Sequence, residues 1–315
     1  MDSHVHGLTE RPSERTGTRV AISFVLTSVF VVVEAAAGIW ADSLALLSDA
    51  GHNLTDVIAL GLTWYAVRLS AKPPHAGKTF GYHRAGILVA LANSTTLVAV
   101  SCGIFYQAYR RFQSTPEVKS GILIGVGIAA FLINLGTAWL LKRGSENDLN
   151  LRSAFVHLMG DVFSTIGAVL AGIVIYFTGL NWLDPLVSVF IGLLIVWNAA
   201  GILRETVHIL LESTPRNVDM EKMLIDLKSV KGVRSVHDLH AWSITESLRA
   251  LSAHIVIDDV SISKGAEIQR DINELVRHQY GIGHTTLQLE SAECESCFLY
   301  CDMTKNHSSQ RKEPS

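Results

Sequence analysis

The sequence predicts an α-helical membrane protein: a six-transmembrane-helix bundle followed by a small α+β domain on the cytoplasmic side. Three observations carry this. Apolar runs at residues 18–40, 43–69, 83–110, 118–141, 150–178 and 184–209 are each long enough to cross about 30 Å of hydrocarbon at roughly 1.5 Å per residue. Apolar residues make up 49% of the chain and charged residues only 17%, with the charge gathered at the two ends. Beyond residue 211 the continuous runs give way to short amphipathic stretches and alternations.

Taken in order, residues 1–17 hold Arg11, Pro12 and Arg15 but no apolar core and no small-residue cleavage pattern. They are expected to stay as a cytoplasmic N-terminal segment, not a removable signal. The helical bundle is expected over residues 18–210. Ten basic residues (Arg11, Arg15, Arg19, Arg68, Lys72, Lys78, Arg84, Lys142, Arg143 and Arg152) fall on one side of it, against Arg110, Arg111 and Lys119 on the other. That imbalance places both termini in the cytoplasm by the positive-inside rule. Residues 211–303 form the second domain. Helical spacing of Met220, Met223, Leu224 and Leu227 predicts a helix over 218–230, and strands follow over 233–244 and 248–257. An amphipathic helix over Ile262–Tyr280 and a strand over 285–289 complete the α+β pattern. Residues 304–315 are polar and expected to be disordered.

Composition also excludes partners. A net charge of −3 without any basic, aromatic-interleaved stretch argues against nucleic acid. No Gly-rich loop ending in Lys-Ser or Lys-Thr is present, so nucleotide is not expected to drive the protein.

The chemistry sits where a lipid-spanning helix should avoid polarity. His52 and Asp56 lie in one apolar run, His157 and Asp161 in another, and each pair has the same four-residue spacing. At about 100° per residue, that spacing projects both side chains from one helix face, one turn apart. An Asp at a helix centre costs about 2.5 to 3.5 kcal/mol on insertion scales, so two such placements mark a pathway or site. Two imidazoles and two carboxylates suit a tetrahedral divalent ion such as zinc. Two carboxylates meeting in low-dielectric surroundings are stable there only with positive charge between them, either a dication or protons. Metal entry then expels protons and metal exit draws them back, which is metal/proton exchange.

Residues 43–56 read Ser-Leu-Ala-Leu-Leu-Ser-Asp-Ala-Gly-His-Asn-Leu-Thr-Asp, and residues 157–161 read His-Leu-Met-Gly-Asp. With Phe-Gly-Tyr-His-Arg at 80–84 and Val-His-Asp-Leu-His-Ala-Trp at 236–242, nearly the whole chain resembles the zinc-transporting branch of the cation diffusion facilitator family. The resemblance implies a homodimeric metal/proton exchanger in a lipid bilayer. It makes His52, Asp56, His157 and Asp161 the transport site and the second domain a metallochaperone-like regulatory and dimerisation module. It also implies zinc as substrate and as a regulatory ligand, with His237, His254 and Glu290 at family ligand positions and His240 and His284 as further candidates. Gln288 stands where some relatives carry a His, so one of the family's paired cytoplasmic sites is expected to be missing or rebuilt.

Of the four cysteines, Cys294, Cys297 and Cys301 fall on the reducing side, where a disulfide is disfavoured. One Cys-x-x-Cys is half of a zinc site. The resemblance supplies the other half as a His-containing terminus, giving a dimer-bridging site of Cys294, Cys297, His4 and His6, weighed against plain surface thiols. Glu34 and Asn134 are read as supports for the ligands or as interhelical hydrogen-bonding groups. Asp49, three residues before His52, is read as lying near the membrane boundary, with a cavity-facing place as the alternative, and Gly86 replaces an acid that relatives often carry. His75 and His83 read as surface histidines, since Tyr82 takes the place of a His. Gly121, Gly125, Ala129, Gly167, Ala168 and Gly172 read as close-packing positions.

Zinc is the expected substrate, and cadmium would be tolerated by the same ligands. Cobalt or nickel export is the alternative; an intramembrane metalloenzyme would need a base and a His-Glu-x-x-His segment that the chain lacks. A short connection between the fourth and fifth helices, without a His-rich stretch, favours a bacterial inner membrane over an organellar one.

Overall fold

The structure is a computed structural model that describes residues 14–145 and 149–291, with side chains described at 25, 27–139, 142 and 158–291. Six long helices come first: α1 (Glu14–Ala41), α2 (Leu44–Ser70), α3 (Ala85–Gln113), α4 (Ser120–Ser145), α5 (Leu149–Thr178) and α6 (Leu183–Leu210). Their ends fall within a few residues of the apolar runs. Among the described residues, four stretches are long and apolar enough to cross a membrane: Ala85–Gln113, Ser120–Trp139, Leu158–Thr178 and Leu183–Leu210. The described apolar part of α1, Thr27–Ala41, is shorter. The helices turn large apolar side chains outward, Trp197, Phe177 and Ile39 among them, as a chain solvated by lipid must.

Small residues set how closely neighbouring helices approach. A Cβ at Gly127 would lie 2.7 Å from Val169 Cγ2, one at Gly172 would lie 3.0 Å from Ile124 Cγ1, and one at Gly192 would meet Phe105 at 2.6 Å. At Gly121, Gly125 and Gly167 nothing lies within 4 Å. The α4 interface therefore runs through Leu123, Gly127 and Ala130, all buried, and not through the parallel stripe of Gly121, Gly125 and Ala129. Both stripes have helical spacing, and only packing decides which of them faces a neighbour.

One end of the bundle is fastened by a buried acid. Asp184, in the first turn of α6, is fully buried. Its carboxylate accepts hydrogen bonds from Ser43 Oγ at 2.6 Å and from the Leu44 and Ala45 amides at 2.7 and 3.3 Å. It therefore caps α2, satisfying first-turn donors that would otherwise be orphaned. Arg111 at the end of α3 lies 3.7 Å from the same carboxylate and 2.7 Å from Asp42 Oδ1. Asp184→Ala strips the cap and leaves Arg111 short of a partner, so it is expected to cost about 3 kcal/mol. The measurement is the thermal unfolding midpoint of detergent-purified protein, which should drop, with Asp184→Asn dropping less because it still accepts from these donors.

The second compact unit contains α7 (Met220–Lys228), β1 (Val233–Ser243), β2 (Arg249–Ile257), α8 (Ile262–Tyr280) and β3 (His284–Glu290). Asp219 caps α7 and Ser261 caps α8, which ends at Gly281 with φ of 65°, a left-handed turn that suits glycine. The sheet order is β1-β2-β3, with β1 antiparallel and β3 parallel to β2. The parallel pairing follows from α8, which carries the chain back across the sheet between β2 and β3. Ile268, Ile272 and Val276 of α8 pack with Met223 and Leu227 of α7 onto Leu239, Leu251, Ala253 and Ile255 of the strands. Tyr280 Oη donates to Asp226 Oδ2 at 2.6 Å, joining the two helices. Burial and that carboxylate push the Tyr280 phenol upward, so it remains the donor at any physiological pH.

Candidate functional site

On α2, His52 and Asp56 share a face, and His52 Nε2 lies 3.5 Å from Asp56 Oδ2. Across the helix interface, Asp161 Oδ1 of α5 lies 3.6 Å from the same nitrogen. Ligands about 2.0–2.1 Å from a tetrahedral zinc are separated from one another by about 3.3–3.4 Å. Each carboxylate thus stands within a few tenths of an ångström of the spacing to His52 that a shared ion requires, while the two carboxylates themselves are further apart and would have to close on an ion bound between them. His52 and Asp161 are buried, whereas the Asp56 side chain is 25% exposed, leaving an approach from that side. His157 belongs to α5 one turn before Asp161, but its side chain lies outside the described residues.

Further acid surrounds these residues. Asp49, one turn before His52 on α2, is 4% exposed; it accepts from Asn53 Nδ2 and from Ser164 Oγ of α5, each at 3.5 Å. It is therefore an interior residue joining α2 to α5, as its cavity-facing reading has it, five residues into α2. Glu34 of α1 is fully buried and faces Asp49 and Asn53. Asn134 of α4 is also buried, at 4% exposure. The sequence signal for Asp49 was its helical phase, since 49, 52, 53 and 56 lie on one face of α2.

A second cluster forms on the sheet. The register pairs His237 of β1 with His254 of β2 and His254 with Gln288 of β3, and puts Glu290 two residues further along the same face. His237 Nε2 lies 3.3 Å from Glu290 Oε2, and His254 Nδ1 lies 2.9 Å from Glu290 Oε1. One ligand atom from each of His237, His254 and Glu290 falls within 4.8 Å of the others, and this is the only such His/Cys/Asp/Glu group among the described residues. The ligand chemistry fits zinc, with two imidazole nitrogens and a carboxylate oxygen. Gln288 donates to Glu290 Oε1 at 2.8 Å, so the residue in the row that is no zinc ligand steadies one that is suited to be.

Other candidates lie elsewhere. His284 pairs with Ala250, four positions along the strand from His254 and so roughly 13 Å away, with its ring against Phe80. The structure does not bring it to the cluster. His240 Nε2 meets Asp238 Oδ1 at 3.0 Å, and no spacing in the sequence signals a part for Asp238. His75 is exposed and its Nε2 lies 3.1 Å from Tyr82 Oη. His4, His6, Cys294, Cys297 and Cys301 lie outside the described residues.

The family comparisons cover both parts of the chain. Residues 20–211 match the cation efflux transmembrane domain, and residues 215–292 match the cation efflux protein cytoplasmic domain. The chain belongs to the cation diffusion facilitator family. It is 39% identical over 273 residues to the cadmium, cobalt and zinc/H(+)-K(+) antiporter of Bacillus subtilis, covering 86% of this chain and 88% of that one. It is 33% identical to the metal cation efflux system protein CzcD of Cupriavidus metallidurans, covering 87% and 86%. Identity to the zinc transporter ZitB of Pectobacterium atrosepticum is 35%, covering 93% and 90%. A solved structure of the metal-bound C-terminal domain of CzcD is 29% identical; it covers 23% of this chain and 99% of that one, with a TM-score of 0.22. This cation diffusion facilitator is therefore a transporter and not an enzyme, a multi-pass membrane protein whose apolar helices precede a cytoplasmic α+β domain.

Proposed function

We propose that the chain exports zinc, and with it cadmium and cobalt, in exchange for protons, through the site of His52, Asp56, His157 and Asp161. The observation that carries this reading is the convergence of Asp56 and Asp161 on His52 Nε2 at 3.5 and 3.6 Å. Two carboxylates cancel the charge of one divalent ion, and the imidazoles supply the borderline-soft ligands that favour zinc over manganese or iron. When the ion leaves, protons take its place on the acids, which couples efflux to the proton gradient without nucleotide. The uneven distribution of basic residues, ten against three, supports termini in the cytoplasm, so the carboxylates load from the inside. The bacterial origin of the relatives supports an inner membrane.

The second domain, whose matched family region carries both His237 and Glu290, is proposed to dimerise and to sense cytoplasmic metal. The supporting geometry is the His237, His254 and Glu290 cluster. The domains are proposed as 1–17, 18–210, 211–303 and 304–315, with Cys294, Cys297, His4 and His6 as a bridging zinc site of the dimer.

The deciding measurement is zinc flux in proteoliposomes of purified protein with a pH-sensitive dye inside. Zinc uptake is expected to release protons in step with metal and to follow an imposed pH gradient. Flux that continues unchanged when the gradient is collapsed, with no alkalinisation of the lumen, would sink proton exchange.

A further inference from the structure

Past His237, strand β1 leaves the regular ladder. Its pairing with β2 slips between His237 and His240, and Asp238 inside the slip adopts φ of 49°, a left-handed conformation that Asp, Asn and Gly tolerate best. In an unbroken strand, residues 237 and 238 would point to opposite faces. Here the Asp238 carboxylate instead reaches the histidines. Its Oδ1 accepts from His240 Nε2 at 3.0 Å, and its Oδ2 lies 3.6 Å from His254 Nε2, an ion-pair distance.

His254 is thereby flanked on both ring nitrogens: Nδ1 faces Glu290 at 2.9 Å and Nε2 faces Asp238. A neutral imidazole has one N–H, and which nitrogen bears it is set by the partner of the other. Glu290 is the nearer of the two, and once it turns to a shared ion the carboxylate opposite Nε2 is the one left to hold the proton. The lone pair of Nδ1 is then directed at the cluster of His237 and Glu290, which is the form that binds a metal ion.

From this we infer that Asp238 is a positioning residue for a divalent ion held by His237, His254 and Glu290, fixing the tautomer and the ring orientation of His254. The inference rests on the reading of that cluster as a metal site. His240 then serves as the second anchor of the Asp238 carboxylate and not as a ligand, and the irregularity in β1 is the device that turns Asp238 to this task.

The test uses the full chain in detergent with Asp56→Ala, Asp161→Ala, Cys294→Ser and Cys297→Ser, so that zinc at the membrane site and at the proposed bridging site does not contribute. Zinc affinity is read by competition with a chromophoric chelator. Asp238→Gly keeps the left-handed backbone and removes the carboxylate, while Asp238→Asn keeps an acceptor without charge. Loss of such an outer partner weakens metal affinity about 10- to 100-fold. That loss is expected for Asp238→Gly, with a smaller one for Asp238→Asn, and with the metal-free unfolding midpoint not lowered in either. Nitrogen-15 spectra of labelled histidine should report His254 protonated at Nε2 in the parent and mixed in Asp238→Gly. Parental affinity, or an unchanged tautomer, in Asp238→Gly overturns the inference. His254→Ala separates the two readings. If it abolishes binding while Asp238→Gly does not, only the positioning role falls; if it too leaves binding unchanged, the metal site falls as well.

Discussion

Asp161→Asn is expected to lower zinc flux in proteoliposomes by about 1000-fold while leaving the protein folded. The side chain keeps its shape and its hydrogen-bonding capacity but not its charge. A dication at His52 and Asp56 would then carry an uncancelled positive charge into an interior where Asp161 is 7% exposed. Removing one partner from a buried charge pair costs about 3–5 kcal/mol, and each 1.4 kcal/mol is about tenfold. The same substitution removes one proton-carrying acid, so zinc-dependent proton movement should vanish with the metal flux. Radiozinc uptake under an imposed pH gradient provides the measurement, and an unfolding curve confirms that the variant is intact. Retention of more than a tenth of the parental flux would show that Asp161 does not meet the ion.

The second large effect is a change of selectivity. His52 is the one imidazole among the described residues of the membrane site, and its Nε2 lies within 3.6 Å of both carboxylates. His52→Asp converts the set from two nitrogens and two oxygens to one nitrogen and three oxygens. Harder ions such as manganese favour oxygen ligands, whereas zinc loses a ligand of matched softness. Zinc flux is expected to fall about tenfold and manganese to become a competitor of radiozinc uptake, which it should not be for the parent. Absence of manganese competition together with undiminished zinc flux would count against His52 as a ligand.

Much of this architecture was open to reading from the chain, and the exceptions share a cause. The long helices were legible because hydrocarbon imposes a length and an apolarity that no other structure satisfies. The shared face of His52 and Asp56 was legible because four-residue spacing fixes a face before any packing is known, whereas the approach of Asp161 from α5 depends on the packing itself. The pairing of His237 with His254 depended on strand register, which alternation alone leaves free, and the slip beyond His237 that redirects Asp238 has no periodic signature at all. The parallel run of β3 beside β2 follows from the helix between them, but which edge of β2 it takes is silent in the sequence. Asp184 escaped notice because a single acid at a helix start reads as ordinary complement to the helix dipole. Its reach to Ser43, 141 positions away in the chain, appears only in three dimensions.

That same contact limits how the bundle can move. Asp184 ties the first turn of α2 to α6, Arg111 brings in the end of α3, and the Lys119 amide donates to the Ala41 carbonyl, linking the entry of α4 to the exit of α1. The segment of α2 that carries His52 and Asp56, the proposed ligands, begins two turns from this knot. Any stroke that exposes His52 first to one side of the bilayer and then to the other must swing α2 and α6 together as a single lever about that end, with the larger travel at the opposite end.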